Sequence, residues 1–209
     1  EWLGLPVGSL LAVEIEDALK GNIVSNSIKM LFKPSETSFL RNVSIGSDQI
    51  LVNVLDNIKG KIIHFEKIGN TWFESNIKGF DEDMLSVAGS DNWSNRSFLE
   101  SESFTQPTGL YFSENSKEYK KIISLPQKFD PTKYEVEQFF SESKDGTKIP
   151  YFQISRKDMI ANSKNPTLLY GYGGFEISLT PSYLSAFTTK WIDDGGVYVI
   201  ANIRGGGEY

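Results

Sequence analysis

The sequence predicts a chain in two parts: an all-antiparallel β region, then the opening of an α/β region. Three observations carry this. Up to about residue 130, short β-type runs recur roughly every ten residues, separated by turn residues such as Asp56-Asn57, Gly69-Asn70 and Gln106-Pro107. Pro126–Lys133 then reads as a linker, with two prolines and scattered charge. Beyond it come a strand, a glycine loop, a helical pattern, a double glycine and an apolar run, which is the order of a βαβ unit.

The β region is built from Ser9–Glu16, Ser38–Ile45, Gln49–Leu55, Lys61–Lys67, Thr71–Ile77, Met84–Ala88, Ser97–Phe104, Gly109–Phe112 and Tyr119–Ser124. Glu14–Lys20 fits a short turn of helix. Runs of this length and spacing suit a sandwich, a barrel or a propeller, and the periodicity leaves sandwich and propeller level. After the linker, Tyr134–Glu142 and Ile149–Ile154 flank a turn at Lys144-Asp145-Gly146-Thr147 and form a hairpin. Pro166–Tyr170 is a short apolar strand. Pro181–Asp193 carries Tyr183, Leu184, Phe187 and Trp191 at helical spacing, and Gly195-Gly196 ends that helix. Val197–Ile203 is a continuous apolar run, the pattern of a strand covered on both faces.

Composition removes several chemistries. The 209 residues contain no Cys and one His, which excludes disulfides, thiolate metal sites, a cysteine nucleophile and any multi-histidine site within them. A Ser-His-Asp triad within the chain would need His64, and no Gly-x-Ser-x-Gly elbow accompanies it. His64, in Lys-Ile-Ile-His-Phe, is therefore expected to be a strand residue with a packing or surface role. The 21 basic and 27 acidic residues leave a net charge of −6 and no basic face for nucleic acid. No apolar run approaches the roughly 20 residues of a membrane span, so no membrane partner is expected. Nothing calls for a metal or an organic cofactor. Asp81-Glu82-Asp83 and Glu100–Glu102 read as solvated turns rather than acid–base pairs or calcium loops, and the four tryptophans as packing residues. The chain opens on Glu1 and stops at Tyr209 after a glycine run, so it is expected to be an internal piece of a longer protein.

Eight of the 18 glycines fall in the last 39 residues, nearly all at strand ends, where open α/β sheets place their sites. Tyr170-Gly171-Tyr172-Gly173-Gly174-Phe175 follows one strand. It is neither a dinucleotide fingerprint, since Glu176 takes the third glycine position, nor a phosphate loop. Its glycines let a ligand approach the backbone beside a phenol, and that phenol could serve as an oxyanion donor. A tight strand-to-helix turn with a packed aromatic is the plainer alternative. Arg204-Gly205-Gly206-Gly207-Glu208-Tyr209 follows the apolar strand and reads as an anion nest or as a loop held by an Arg salt bridge.

These two motifs, in this order, resemble the start of the catalytic domain of prolyl oligopeptidases: Leu169–Ser178, then Ala201–Tyr209. Ser143–Pro150 resembles the same domain's beginning. Leu55-Asp56-Asn57 to Gly60 and Phe104–Pro107 resemble late propeller segments more loosely. The sibling oligopeptidase B typically has Ser-Tyr at Gly174-Phe175 and Leu at Tyr209, so this sequence sides with the prolyl type.

The resemblance implies a seven-bladed β-propeller capping an α/β-hydrolase domain. Residues 1–128 would be its last two or three blades, 129–135 the linker, and 136–209 the start of the peptidase domain. It implies a serine peptidase cutting short peptides on the carboxyl side of proline through an acyl-enzyme. Tyr172 would be the oxyanion-hole tyrosine and Phe175 would line the pocket for the proline ring. The Ser, Asp and His of the family lie beyond its Arg-Gly-Gly-Gly-Glu-Tyr segment, so the piece alone is expected to be inactive and poorly folded. A monomeric, cytoplasmic enzyme without cofactors is expected, a periplasmic or secreted one being the variant. The alternatives are a non-catalytic propeller or hydrolase relic that only binds, or a sibling with another side-chain preference.

Overall fold

The computed structural model describes residues 2–80 and 84–206. Its strands are β1 (Leu10–Val13), β2 (Ile28–Phe32), β3 (Ser38–Ile45), β4 (Gln49–Asp56), β5 (Lys59–Ile68), β6 (Thr71–Asn76) and β7 (Met84–Ser90), then β8 (Ser97–Glu102), β9 (Gly109–Ser113), β10 (Lys120–Ser124), β11 (Tyr134–Glu142), β12 (Lys148–Arg156), β13 (Thr167–Gly171) and β14 (Val197–Ala201). Two α-helices accompany them, α1 (Ile15–Leu19) and α2 (Ala186–Asp193).

The first ten strands make a β1–β2 pair and two four-stranded antiparallel meanders, β3 to β6 and β7 to β10. Strand β4 shows how they stack. Side chains alternate along a strand, so Val52 and Val54 face one way and Leu51 the other. Val52, Val54 and Phe65 pack with Leu31 and Phe32 of β2. Leu51 and Ile62 pack with Leu85 and Leu99 of the second meander. The first meander is thus apolar on both faces and sits between its neighbours.

The last four strands form one mixed sheet in the order β11-β12-β14-β13, with β13 and β14 parallel and the other pairs antiparallel. The crossover from β13 to β14 runs through α2. Ser185 caps α2 by accepting from the Thr188 N–H at 3.2 Å. The helix ends in a Schellman arrangement: Gly195 (φ 91°) donates to the Ile192 carbonyl and Gly196 to the Trp191 carbonyl, both at 3.0 Å.

A third core joins the meanders to the mixed sheet. Ile58, from the β4–β5 turn, and Phe104, from the β8–β9 loop, pack with Tyr134, Phe152, Ile154, Leu184, Ile192 and Ile200. Polar contacts follow the same seam. Gln138 Nε2 donates to the Asn57 carbonyl at 2.8 Å, and the Leu184 N–H to the Phe104 carbonyl at 3.1 Å.

Four expectations need correction. The helix is shorter than Pro181–Asp193, because Tyr183 and Leu184 are held at the seam ahead of it, outside any helix or strand. The Tyr183 N–H donates to Glu102 Oε1 at 2.6 Å, and its ring stacks on Phe129 at 4.9 Å. The buried helix face is accordingly Thr188, Thr189 and Ile192, with Phe187 exposed. Glu100–Glu102 lies on a strand, not in a solvated turn, and Glu102 links the two regions; Asp81–Asp83 lies outside the described residues. Trp93 is 91% exposed on a turn built by the Asp91 carboxylate, and Trp2 is half exposed, whereas Trp72 and Trp191 do pack against cores. Among the described residues, no helix is long and apolar enough to cross a membrane.

Candidate active site

Strands β13 and β14 run parallel with Gly171 opposite Ala201, so their following loops leave the same sheet end side by side. These are the two motifs singled out above. The loops touch through backbone. A Cβ on Gly173 would lie 2.4 Å from the Arg204 carbonyl oxygen, and one on Gly205 (φ 98°) only 2.2 Å from the Gly173 carbonyl oxygen. Glycine at both positions is what permits the approach.

Tyr172 stands at the carboxyl end of β13 and is part exposed. Its ring folds back over Gly174, where a Cβ would meet the phenol oxygen at 2.8 Å. The hydroxyl has no hydrogen-bond partner among the described residues, so it is free to donate outward. The chain then turns sharply. The Ile177 N–H donates to the Gly174 carbonyl at 3.2 Å around Phe175 (φ 57°) and Glu176 (φ 55°). Two non-glycine residues in left-handed backbone carry about 1–2 kcal/mol of strain each. Such a turn persists only where its surroundings hold it. The holding contacts come from the second loop. The Glu176 N–H donates to the Gly205 carbonyl at 3.2 Å, Ser178 Oγ to the Gly206 carbonyl at 2.9 Å, and the Leu179 N–H to Asn202 Oδ1 at 2.9 Å. Phe175 is left 90% exposed at the tip of the turn.

Arg204 reaches away from this contact to the β11–β12 hairpin. Its guanidinium donates to Asp145 Oδ2 at 2.5 Å and to Ser143 Oγ at 2.7 Å. The Asp145 carboxyl is held down to about 2 by that Arg204 hydrogen bond first, then by hydrogen bonds from Thr147. Gly207, Glu208 and Tyr209 lie outside the described residues.

His64 is elsewhere, on β5, 2% exposed between the two meanders. Its Nε2 meets Gln49 Oε1 at 3.1 Å and its Nδ1 meets Ser75 Oγ at 3.3 Å. Gln49 Nε2 donates to Ser116 Oγ at 2.8 Å and to the Asn95 carbonyl at 3.2 Å, which leaves Oε1 as acceptor. His64 therefore carries its proton on Nε2. Burial lowers its pKa below 6.5, with Glu66 opposing and Lys117 assisting. Both ring nitrogens are occupied by packing partners.

Sequence reasoning passed over Ser143, Ser178 and Asn202 as site residues. Asn202, 1% exposed, offered a signal: it is the one amide within the otherwise apolar run Val197–Ile203. Its Oδ1 holds Leu179, while its Nδ2 is buried with no partner among the described residues. That run is not a strand covered throughout as expected: β14 ends at Ala201, and Ile203 is 44% exposed.

No protein-family model matches the chain. A peptidase of Sinorhizobium fredii is 34% identical over 203 residues, 97% of this chain and 28% of that protein. A prolyl endopeptidase of Elizabethkingia miricola is 46% identical over 105 residues, 50% of this chain and 15% of that protein. Among solved structures, a post-proline cleaving enzyme from Rickettsia typhi superposes with a TM-score of 0.80 at 30% identity, over 98% of this chain and 30% of that one.

The chain corresponds to a segment of the prolyl oligopeptidase family.

It spans 28% of the length of the curated relatives that it matches from end to end. Among the described residues its sheets are open and form no closed barrel, which is consistent with the propeller part of a prolyl oligopeptidase.

Proposed function

We propose that the full-length protein is a serine peptidase that cleaves short peptides on the carboxyl side of proline through an acyl-enzyme. In this reading the two four-stranded meanders are successive propeller blades within residues 1–128, and residues 129–135 are the linker. Residues 136–209 begin an α/β-hydrolase domain whose Ser, Asp and His are supplied by the rest of the protein. Tyr172 donates its hydroxyl to the oxyanion of the tetrahedral intermediate, beside a backbone N–H from the nucleophile's own turn. Phe175 lines the pocket for the proline ring. The enzyme is monomeric and cytoplasmic, and these 209 residues alone are inactive.

One observation carries the reading: a phenol with no hydrogen-bond partner among the described residues, at the carboxyl end of a parallel strand, whose ring lies where a side chain on Gly174 would collide with it. Support for the substrate class comes from relatives that are named prolyl endopeptidases and a structural neighbour named a post-proline cleaving enzyme. Turnover of chromogenic peptides with proline or arginine before the scissile bond tests the class. The reading expects kcat/KM to favour proline by about 10- to 200-fold, the discrimination that roughly 1–3 kcal/mol of a fitted apolar pocket supplies. Equal turnover, or an arginine preference, overturns it.

A further inference from the structure

Asp145, in the turn of the β11–β12 hairpin, is 59 residues from Arg204 in sequence, and among the described residues the hairpin turn makes no hydrogen bond to Tyr172 or Phe175, yet it leads to the contacts that hold their loop. The path is continuous. Asp145 Oδ1 accepts from the Thr147 N–H at 3.2 Å, which fixes the carboxylate on the hairpin, while its Oδ2 takes the Arg204 guanidinium. Ser143 Oγ takes a second guanidinium nitrogen, so the planar fork is held at two points and cannot swivel as it would on a single contact. The next two residues after Arg204 supply the carbonyls that receive Glu176 N–H and Ser178 Oγ. Those acceptors fasten a turn that two non-glycine residues in left-handed backbone would otherwise leave.

We propose that Asp145, Ser143 and Arg204 form a positioning clamp that sets the Tyr172 loop through the backbone of Gly205 and Gly206. This rests on the reading of Tyr172 as an oxyanion donor and adds to it the residues that aim the donor. None of the three touches substrate; they act through the loop.

The pair is about half exposed on both sides. An exposed ion pair contributes little to global stability, so a merely structural role and a positioning role predict different outcomes. Asp145 is ionised at any pH above about 4, because its pKa lies near 2, so the clamp stays charged through the working range of a peptidase.

The test is a cycle in the full-length enzyme: Arg204→Met, Tyr172→Phe and the double variant, with thermal melting measured alongside. The clamp predicts that Arg204→Met lowers kcat about 10- to 100-fold, the scale of a displacement of roughly 1 Å, with KM nearly unchanged and the melting temperature within a few degrees. In the Tyr172→Phe background, Arg204→Met should lower kcat by less than about twofold, since the donor to be aimed is gone. Asp145→Asn, which keeps the side-chain volume, should show the same pattern at reduced size. A wild-type kcat in Arg204→Met overturns the clamp. So does an equal loss in both backgrounds, which would place the effect outside Tyr172. Tyr172→Phe by itself reports on the oxyanion reading, so failure of the two ideas is told apart within one data set.

Discussion

The turns at Asn57-Ile58 and Phe175-Glu176 share a backbone, with positive φ at both central residues and a bulky side chain in each, but their surroundings are opposite. Ile58 (φ 67°) is 2% exposed and sits in the core that joins the meanders to the mixed sheet. Its strain is offset by apolar burial, and Asn57, a residue that tolerates left-handed backbone, makes up the rest of the turn. Phe175 (φ 57°) is almost fully exposed, and its turn is held by backbone bonds from a neighbouring loop instead. Strain alone thus does not mark a site. At Ile58 it aims a side chain into packing; at Phe175 it aims one out of the fold, next to a phenol with no hydrogen-bond partner among the described residues. The titratable groups show the same contrast. His64 is buried with both nitrogens bonded, while the Tyr172 hydroxyl is bonded to nothing described.

The largest way to break this contrast is at the backbone contact of the exposed site. Gly173→Ala would place a methyl 2.4 Å from the Arg204 carbonyl oxygen and force the loops apart. In the full-length enzyme, kcat should fall at least about 100-fold, as for a lost oxyanion donor, while circular dichroism keeps its β signature. Steady-state kinetics at saturating substrate reads this.

Next comes the buried turn. Ile58→Ala removes a packed side chain and should cost about 2–4 kcal/mol of stability by denaturant unfolding. Ile58→Gly is the sharper variant. Glycine is ordinarily worse than alanine within regular structure, but at φ 67° the order should invert, with Gly more stable than Ala. The usual order would mean that the left-handed backbone at Ile58 is not a source of strain.

The smallest effect is expected at His64. Its folded pKa is depressed by burial, so the unfolded chain binds its proton first as pH falls through 6.5. Stability from this residue is complete above that value and is lost progressively below it. His64→Gln should flatten that part of the stability–pH curve without changing peptidase activity at neutral pH. An unchanged slope would show that the curve is set by other groups.

Much of this fold was legible because its elements are bounded by turn chemistry. Strands β3 and β11 match the expected Ser38–Ile45 and Tyr134–Glu142 end for end. The hairpin turn at residues 144–147 and the glycine stop at Gly195-Gly196 carry local signals that tertiary contacts did not override. Strand β2 was missed. Ile28–Phe32 lacks clean alternation, with Leu31 and Phe32 adjacent and both buried, and its pairing with β1 is what makes it a strand. The helix start was misplaced because Tyr183 and Leu184 have helical spacing but are claimed by Glu102 and Phe104, about 80 residues earlier in the chain. At the site, the glycines and the phenol were visible as a motif. The Asp145–Arg204 contact was not, since nothing in local spacing records which distant loop an arginine will meet. The left-handed backbone of Phe175 was equally silent, because that residue type gives no sign of it.

The central claim is that Tyr172 is an oxyanion donor, and turnover of a proline-containing chromogenic peptide by the full-length Tyr172→Phe variant tests it most directly. Loss of the hydroxyl should lower kcat by about 10²–10³ with little change in KM or melting temperature. Turnover equal to the wild type would contradict the claim.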